Sequence, residues 1–182
     1  LLTFKAGERG IVTPHVAHRS GSACAATNPE TAAHFNAKML LTRVLNTSGT
    51  LRLRTKCYRA GHHVEADWRA PAWQRAEAEF RVETRRPDVA VFGEGDAVVG
   101  AVEVLHTHRV DRRKASDYAA SGLPWVEFRA EHVLAWDGKG ALPVEAADRE
   151  TLRELVRSCA GCHEADRPCP PPLSPEEIAG QV

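Results

Sequence analysis

The chain has 182 residues, of which 43% are hydrophobic and 26% are charged, with equal numbers of acidic and basic residues. These values are typical of a single globular domain that buries a core. The charge balance excludes a protein coated in positive charge. No run of apolar residues is long enough to span a bilayer, and the first residues lack the pattern of a signal peptide. We therefore expect a cytoplasmic protein without a membrane segment.

The first half of the chain predicts one helix followed by short strands. Asn28, Pro29 and Glu30 are residue types that favour a helix N-terminus. Apolar residues then recur at helical spacing as far as Leu45. Beyond the helix the pattern predicts, in order, strands over 51–55 and 64–68, a loop or short helical turn over 70–78, and a strand over 79–82.

The second half predicts a hairpin, a helix and a further strand. Apolar residues over 88–92 and 97–105 flank a Gly-rich turn, which favours a β-hairpin. Asp111 is a suitable N-cap and Gly122 a suitable stop for a helix over 111–121. A strand over 123–128 follows, and residues 148–158 predict a last helix. A strand, a crossover helix and a parallel strand form a βαβ unit, so the order favours an α/β fold.

Two carboxylates stand at the same end of the predicted hairpin. Asp88 begins the first strand, and Glu103 lies fifteen positions later on the returning strand. Converging carboxylates suit Mg²⁺, which prefers oxygen ligands and can activate water. The alternative is that Asp88 is a turn residue and Glu103 makes a structural ion pair. Glu103 is the stronger signal because its strand is otherwise apolar, where an unpaired charge is costly.

The hairpin block resembles the PD-(D/E)xK nuclease core, since Pro-Asp-Val-Ala-Val-Phe is followed by a turn and by Val-Glu-Val-Leu-His-Thr-His. More narrowly, residues 9–135 resemble the competence protein CoiA-like nuclease family. The similar segments are 14–19, the spacing of Glu30, His34 and Lys38, the spacing of Glu103, Thr107, His108, Asp111 and Lys114, and 122–126. The resemblance implies a restriction-endonuclease-like mixed sheet flanked by helices over 1–158. It also implies a metal-dependent nuclease that hydrolyses DNA, in the processing of foreign DNA or in defence against it.

The resemblance, together with the hairpin, implies a set of site residues. The catalytic set is Glu30, Lys38, Asp88, Glu103, Thr107 and Lys114, with Mg²⁺ or Mn²⁺ held by Asp88 and Glu103. The set that contacts nucleic acid is His18, His34, Arg86, His108, Arg109 and Arg112. Basic residues near the hairpin end lie where a phosphate backbone would run. For Arg112 the alternative is a solvated helix start.

Leu105 departs from the family pattern, which has Lys or Gln two residues after the glutamate. A lysine there would orient the attacking water and stabilise charge, and a leucine does neither. Two explanations remain open from the sequence. Either Lys38 or Lys114 supplies the charge from a helix, or the chain is a catalytically silent nuclease fold that binds nucleic acid or protein.

The five cysteines are too unevenly spaced for a disulfide framework. Cys159-Ala-Gly-Cys162-His163 is compatible with a c-type haem attachment, a redox pair, half of a zinc site, or free thiols. The segment 57–63 resembles a zinc-ribbon knuckle in which Ala60 stands in place of the second cysteine, and it would form a small zinc-ribbon-like appendage.

We expect a structural Zn²⁺ ion with Cys57, His62, Cys159 and Cys162 as its ligands. His63, His163 and Cys169 are rival ligands. Residues 159–182 then form a tail with the Cys-x-x-Cys pair followed by a Pro-rich segment.

Overall fold

The computed structural model describes residues 2–5, 15–18, 32–57, 62–81, 86–105, 109–157 and 159, with the backbone alone for 2–5, 15–18, 156 and 157. In chain order the elements are β1 (Leu2–Lys5), β2 (His15–His18), α1 (Ala32–Ser48), β3 (Leu51–Lys56), β4 (His63–Trp68), β5 (Arg75–Ala78), β6 (Val89–Phe92), a 3-10 turn (Glu94–Asp96), β7 (Val98–Leu105), α2 (Arg112–Ala120), β8 (Trp125–Arg129), α3 (Ala130–Leu134), β9 (Leu142–Pro143), β10 (Ala146–Ala147) and α4 (Arg149–Arg157).

Two mixed sheets form the body of the fold. The larger sheet has five strands in the order β10-β8-β7-β6-β5, and the smaller has three in the order β4-β3-β9. In the larger sheet β7 and β8 run parallel, joined by α2, and the other neighbours are antiparallel. In the smaller sheet β3 is antiparallel to β4 and parallel to β9. β1 and β2 form a separate antiparallel pair. The prediction of an α/β fold with a mixed sheet and helices is confirmed, and the structure has two such sheets.

Helix α1 covers one face of the larger sheet. Its buried stripe, Ala37, Leu41 and Leu45, repeats every four residues and so lies along one side of the helix. This stripe belongs to the main core, together with Val102 of β7 and Phe128 of β8. The same core extends to the smaller sheet and to α4. These elements contribute Leu51, Leu53, Trp68, Leu152 and Leu155 to it.

Helix α2 covers the opposite face of the larger sheet. Asp111 caps its first turn, where the carboxylate accepts the N–H of Lys114, and Gly122 follows its end with a φ of 61°. Ala115 and Tyr118 of α2 are buried against Ala101 of β7 and Trp125 of β8. The side chains of β7 therefore alternate between the α1 core and the α2 face, as expected for a strand covered on both sides.

Most of the predicted elements agree with the structure. The confirmed elements are the described part of helix α1, strands β3 and β4, the hairpin of β6 and β7, helix α2, strand β8 and helix α4. The loop predicted over 70–78 contains β5, and the strand predicted over 79–82 is wrong at 79–81, where Glu79 has a φ of 59° and the chain forms a turn. Residue 82 and the predicted cap at 28–30 lie outside the described residues. Among the described helices, none is long and apolar enough to cross a lipid bilayer.

Gly49, which follows α1, can be tested by substitution. It has a φ of +69°, and a Cβ there would lie 2.6 Å from Trp73 Cε3. Gly95 has a similar φ of +63° with open space around it, so it isolates the backbone effect. We expect Gly95→Ala to lower the free energy of unfolding by about 1–2 kcal/mol. Gly49→Ala should cost clearly more because the ring must also move.

Urea unfolding of both variants measures the difference. Equal losses for Gly49→Ala and Gly95→Ala would contradict the close approach of Trp73.

Candidate functional site

The hairpin brings Asp88 and Glu103 to the same end of the sheet. Val89, the first residue of β6, pairs with Val102 of β7, so Asp88 and Glu103 each adjoin this pair. The backbone N–H of Val104 donates to Asp88 Oδ2 at 2.8 Å, which holds this carboxylate against β7.

Helix α1 contributes a histidine to the Asp88 carboxylate. His34 Nε2 lies 3.2 Å from Asp88 Oδ2, and this hydrogen bond raises the pKa of His34. Burial opposes ionisation of Asp88, but the hydrogen bonds from His34 and from the Val104 N–H outweigh it, so the pKa of Asp88 is below its ordinary value. At neutral pH Asp88 is therefore an ionised acceptor beside a histidine that is readily protonated.

Glu103 is held by two side chains of α2. Lys114 Nζ donates to Glu103 Oε2 at 2.7 Å, and the Tyr118 hydroxyl donates to Glu103 Oε1 at 2.5 Å. Glu103 is only 3% exposed. Burial raises its pKa to about 7, against the lowering effect of Lys114. The carboxyl is thus poised between its protonated and ionised forms near neutral pH.

Lys38 approaches the pair from the α1 side. Its Nζ donates to Glu79 Oε1 at 2.5 Å and lies 3.9 Å from Asp88 Oδ1. Lys38 is 2% exposed, and its hydrogen bond lowers the pKa of Glu79. Both lysines considered in place of Leu105 therefore reach the acidic pair, Lys114 at Glu103 and Lys38 near Asp88. Leu105 itself is buried.

The basic residues expected to contact nucleic acid are partly paired with carboxylates. Arg86 donates to the carboxylate and the main-chain carbonyl of Glu79, and Arg109 lies 3.3 Å from Glu145 Oε2. Arg112 is exposed at the start of α2. These exposed ion pairs are weak in water and can be exchanged for phosphate contacts.

Some predicted site residues fall outside the described part of the chain. They are Glu30, Thr107, His108 and Cys162, and the side chain of His18 at the end of β2.

Sequence reasoning missed three residues of this region. Tyr118 is four residues after Lys114, a helical spacing that puts both on one face of α2. Glu79 falls in the segment wrongly predicted as a strand. Glu127 of β8 is 1% exposed and pairs in register with Glu103. It had the same signal as Glu103, a charge within an apolar strand, and burial raises its pKa as well.

A second cluster joins Cys57, which follows β3, His62, which precedes β4, and Cys159, two residues beyond the end of α4. The ligand atoms of Cys57, His62 and Cys159 all lie within 4.8 Å of one another, and His62 Nε2 is 2.9 Å from Cys159 Sγ. Both cysteines are buried and neither is in a disulfide. The Cys57 N–H donates to the His62 carbonyl at 2.7 Å, which keeps these two residues close together. This Cys57–His62–Cys159 group can hold a metal ion.

The arrangement at Asp88 and Glu103 combines two carboxylates with an ammonium group at the end of a hairpin. Carboxylate oxygens suit a hard divalent cation. Lys114 adds a proton donor and a positive charge beside them. These groups are of the chemical types that suit a divalent cation and an anion.

Comparison with family models, curated proteins and solved structures finds no match to this chain.

The burial of Glu103 predicts a pH effect on stability in the absence of divalent ions. Because its pKa is raised from 4.5 to about 7 in the folded protein, the folded state binds more protons than the unfolded state between these values. The contribution of Glu103 to the free energy of unfolding should therefore fall as pH rises through this window. As the pH rises from 4.5 to 8, the free energy of unfolding of Glu103→Gln should increase by about 2–3 kcal/mol relative to that of wild type.

Urea unfolding in EDTA across this pH range is the measurement. Glu77→Gln removes an exposed carboxylate of β5 and serves as the control. Wild-type and Glu103→Gln stabilities that stay parallel across the range would show that the carboxyl is not destabilised by burial.

Proposed function

We propose that the chain is a Mg²⁺- or Mn²⁺-dependent deoxyribonuclease of the PD-(D/E)xK type, with the plan of the CoiA-like family. The observation that carries the proposal is the Lys114 ammonium, 2.7 Å from Glu103 Oε2, with Asp88 at the same end of the hairpin. The order of α1, the hairpin of β6 and β7, then α2 and the parallel strand β8 supports a restriction-endonuclease-like fold. Cytoplasmic residence and DNA as the partner belong to the same proposal.

The donor set fits a divalent cation. Asp88, just before β6, and Glu103 of β7 offer carboxylate oxygens, and the side chains of His34 and Lys114 lie against them. A bound Mg²⁺ or Mn²⁺ ion would activate water and stabilise the charge on the phosphate. His34 and the Val104 N–H hold Asp88 in place for this role, and Tyr118 holds Glu103.

Lys114 performs the task that Leu105 cannot. Its ammonium orients the attacking water and stabilises the developing negative charge on the phosphate. In the hydrolysis the water oxygen bonds to phosphorus, the bond from phosphorus to the leaving sugar oxygen breaks, and that oxygen takes up a proton. Arg109 and Arg112, near the same end of the sheet, bind neighbouring phosphates of the strand.

A second candidate function is a silent nuclease fold that binds nucleic acid or protein. Two observations favour it. Leu105 replaces the lysine of the strand, and both carboxylates already have side-chain partners within the chain, His34 and Lys114. Such a module would bind DNA through its basic residues without cleaving it.

Cleavage assays separate the two functions. We expect wild type to cleave DNA with Mg²⁺ or Mn²⁺, and Asp88→Asn and Glu103→Gln to lose about 100-fold or more in rate because each removes a metal ligand. Lys114→Met should lose a similar factor, and Lys114→Arg should lose less because it keeps the charge. Single-stranded, linear duplex and plasmid DNA are tested, with RNA for comparison.

Asp67→Asn is the matched control, because it neutralises an exposed carboxylate on the smaller sheet. Equal background cleavage in wild type and all variants, together with retained DNA binding, would reject the nuclease and establish the binding module.

We also propose that the Cys57–His62–Cys159 group holds a structural Zn²⁺ ion, with Cys162 as the fourth ligand. Ligand atoms around a tetrahedral zinc ion lie roughly 3–4 Å apart, so the observed group, with all its atoms within 4.8 Å, needs only small shifts to bind one. The ion would link His62 to Cys159, which are 97 residues apart, and would restrict the unfolded chain as a long cross-link does.

Elemental analysis should find about one equivalent of zinc in the purified protein. Cys159→Ser should lose the metal and lower the melting temperature, whereas Cys24→Ser, which changes a cysteine outside the group, should change neither. Less than half an equivalent in wild type, with an unchanged melting temperature in Cys159→Ser, would rule out the structural metal.

A further inference from the structure

The lysine at Glu103 is placed by a helix instead of by its own strand. A lysine two residues after Glu103 would be aimed by the sheet itself, because strand residues have fixed directions. Lys114 lies instead in the first turn of α2. Its distance to Glu103 therefore depends on whatever fixes the start of α2 to the sheet.

Glu127 supplies that attachment. It lies on β8 beside Glu103 in the parallel register and is 1% exposed. Its Oε1 accepts the backbone N–H of Val110 at 2.6 Å. No described residue donates a hydrogen bond to its other oxygen. Among the described residues, the side chain of Glu127 therefore makes one hydrogen bond, and this bond holds the chain just before α2 against β8.

The path from Val110 to the site is short and rigid. Asp111 follows Val110 and caps the helix, accepting the Lys114 N–H at 2.7 Å. Lys114 Nζ then reaches Glu103 Oε2 at 2.7 Å. Val110 also packs on the α2 face of the sheet, against the cluster that includes Tyr118, the second donor to Glu103.

We propose that Glu127 is a positioning residue for Lys114, acting through its hydrogen bond to the Val110 N–H. In this role the required property is an acceptor oxygen at the Oε1 position. Glu127 also lies within electrostatic reach of Lys114, so the hydrogen bond and the charge must be separated by experiment. Its importance for catalysis rests on the proposed function, but the placement of Lys114 can be measured without it.

Three variants separate the possibilities. Glu127→Gln keeps the acceptor and removes the charge. Glu127→Met keeps the length of the side chain and removes both. Phe128→Leu alters the next residue, which belongs to the α1 core on the other face of the sheet, and therefore controls for loss of stability alone.

The primary measurement is acetylation of lysine amines at low reagent concentration, followed by peptide mass spectrometry. The chain has five lysines, and exposed Lys56 and Lys139 serve as internal references. In wild type Lys114 should react slowly, since it is ion-paired with Glu103 and its side chain is 20% exposed. Glu127→Met should raise its relative rate several-fold, and Glu127→Gln and Phe128→Leu should leave it unchanged.

The proposal is overturned if Glu127→Met leaves Lys114 protected, if Phe128→Leu exposes it equally, or if Glu127→Gln exposes it as much as Glu127→Met does. The last result would assign the effect to charge.

Cleavage rates then test the catalytic consequence. Well below all melting temperatures, Glu127→Met should lose 10- to 100-fold, roughly the cost of removing a residue that orients a site from its second layer, while Glu127→Gln and Phe128→Leu stay near wild type. A wild type without cleavage would reject the proposed function and leave the labelling result to decide the role of Glu127.

Discussion

A carboxylate buried in the middle of an apolar sheet is the constraint around which this fold is arranged. Glu103 has valine on both sides in β7, and its own side chain is almost entirely removed from water. An ionised carboxylate there is stable only with donors and positive charge close by. Helix α2 provides both through Lys114 and Tyr118. The position of α2 on the sheet is therefore tied to an electrostatic requirement as well as to apolar packing.

The surrounding charges extend this requirement across the end of the hairpin. Asp88 lies between His34 and the Lys38 ammonium, and Lys38 in turn binds Glu79, which also binds Arg86. Acidic and basic side chains thus alternate from α1 to α2 at the open end of the hairpin of β6 and β7. Buried ion pairs of this kind contribute little net stability, because desolvation offsets their attraction. Charged side chains in such a place are expected where a site needs them for binding or chemistry, because they add little to the stability of the fold.

Sequence reasoning succeeded where a local pattern encoded the geometry. The placement of Asp88 and Glu103 at the same end of the hairpin follows from counting residues around one turn, and the reach of Lys114 follows from its place after the Asp111 cap. It failed for β5, β9 and β10, whose two to four residues are too few to show a period. It also overlooked Glu127, because only the parallel register of β7 and β8 sets this residue beside Glu103.

The smaller sheet has a consequence for how the chain folds during synthesis. Its central strand β3 pairs on one side with β4, which follows at once, but on the other side with β9, where Leu53 meets Leu142. The ribosome must therefore complete every strand of the larger sheet except β10 before β3 acquires its second neighbour. Contacts of such wide sequence separation form slowly. Until then one edge of β3 stays open, so a nascent chain halted before β9 offers an unpaired strand edge to other chains.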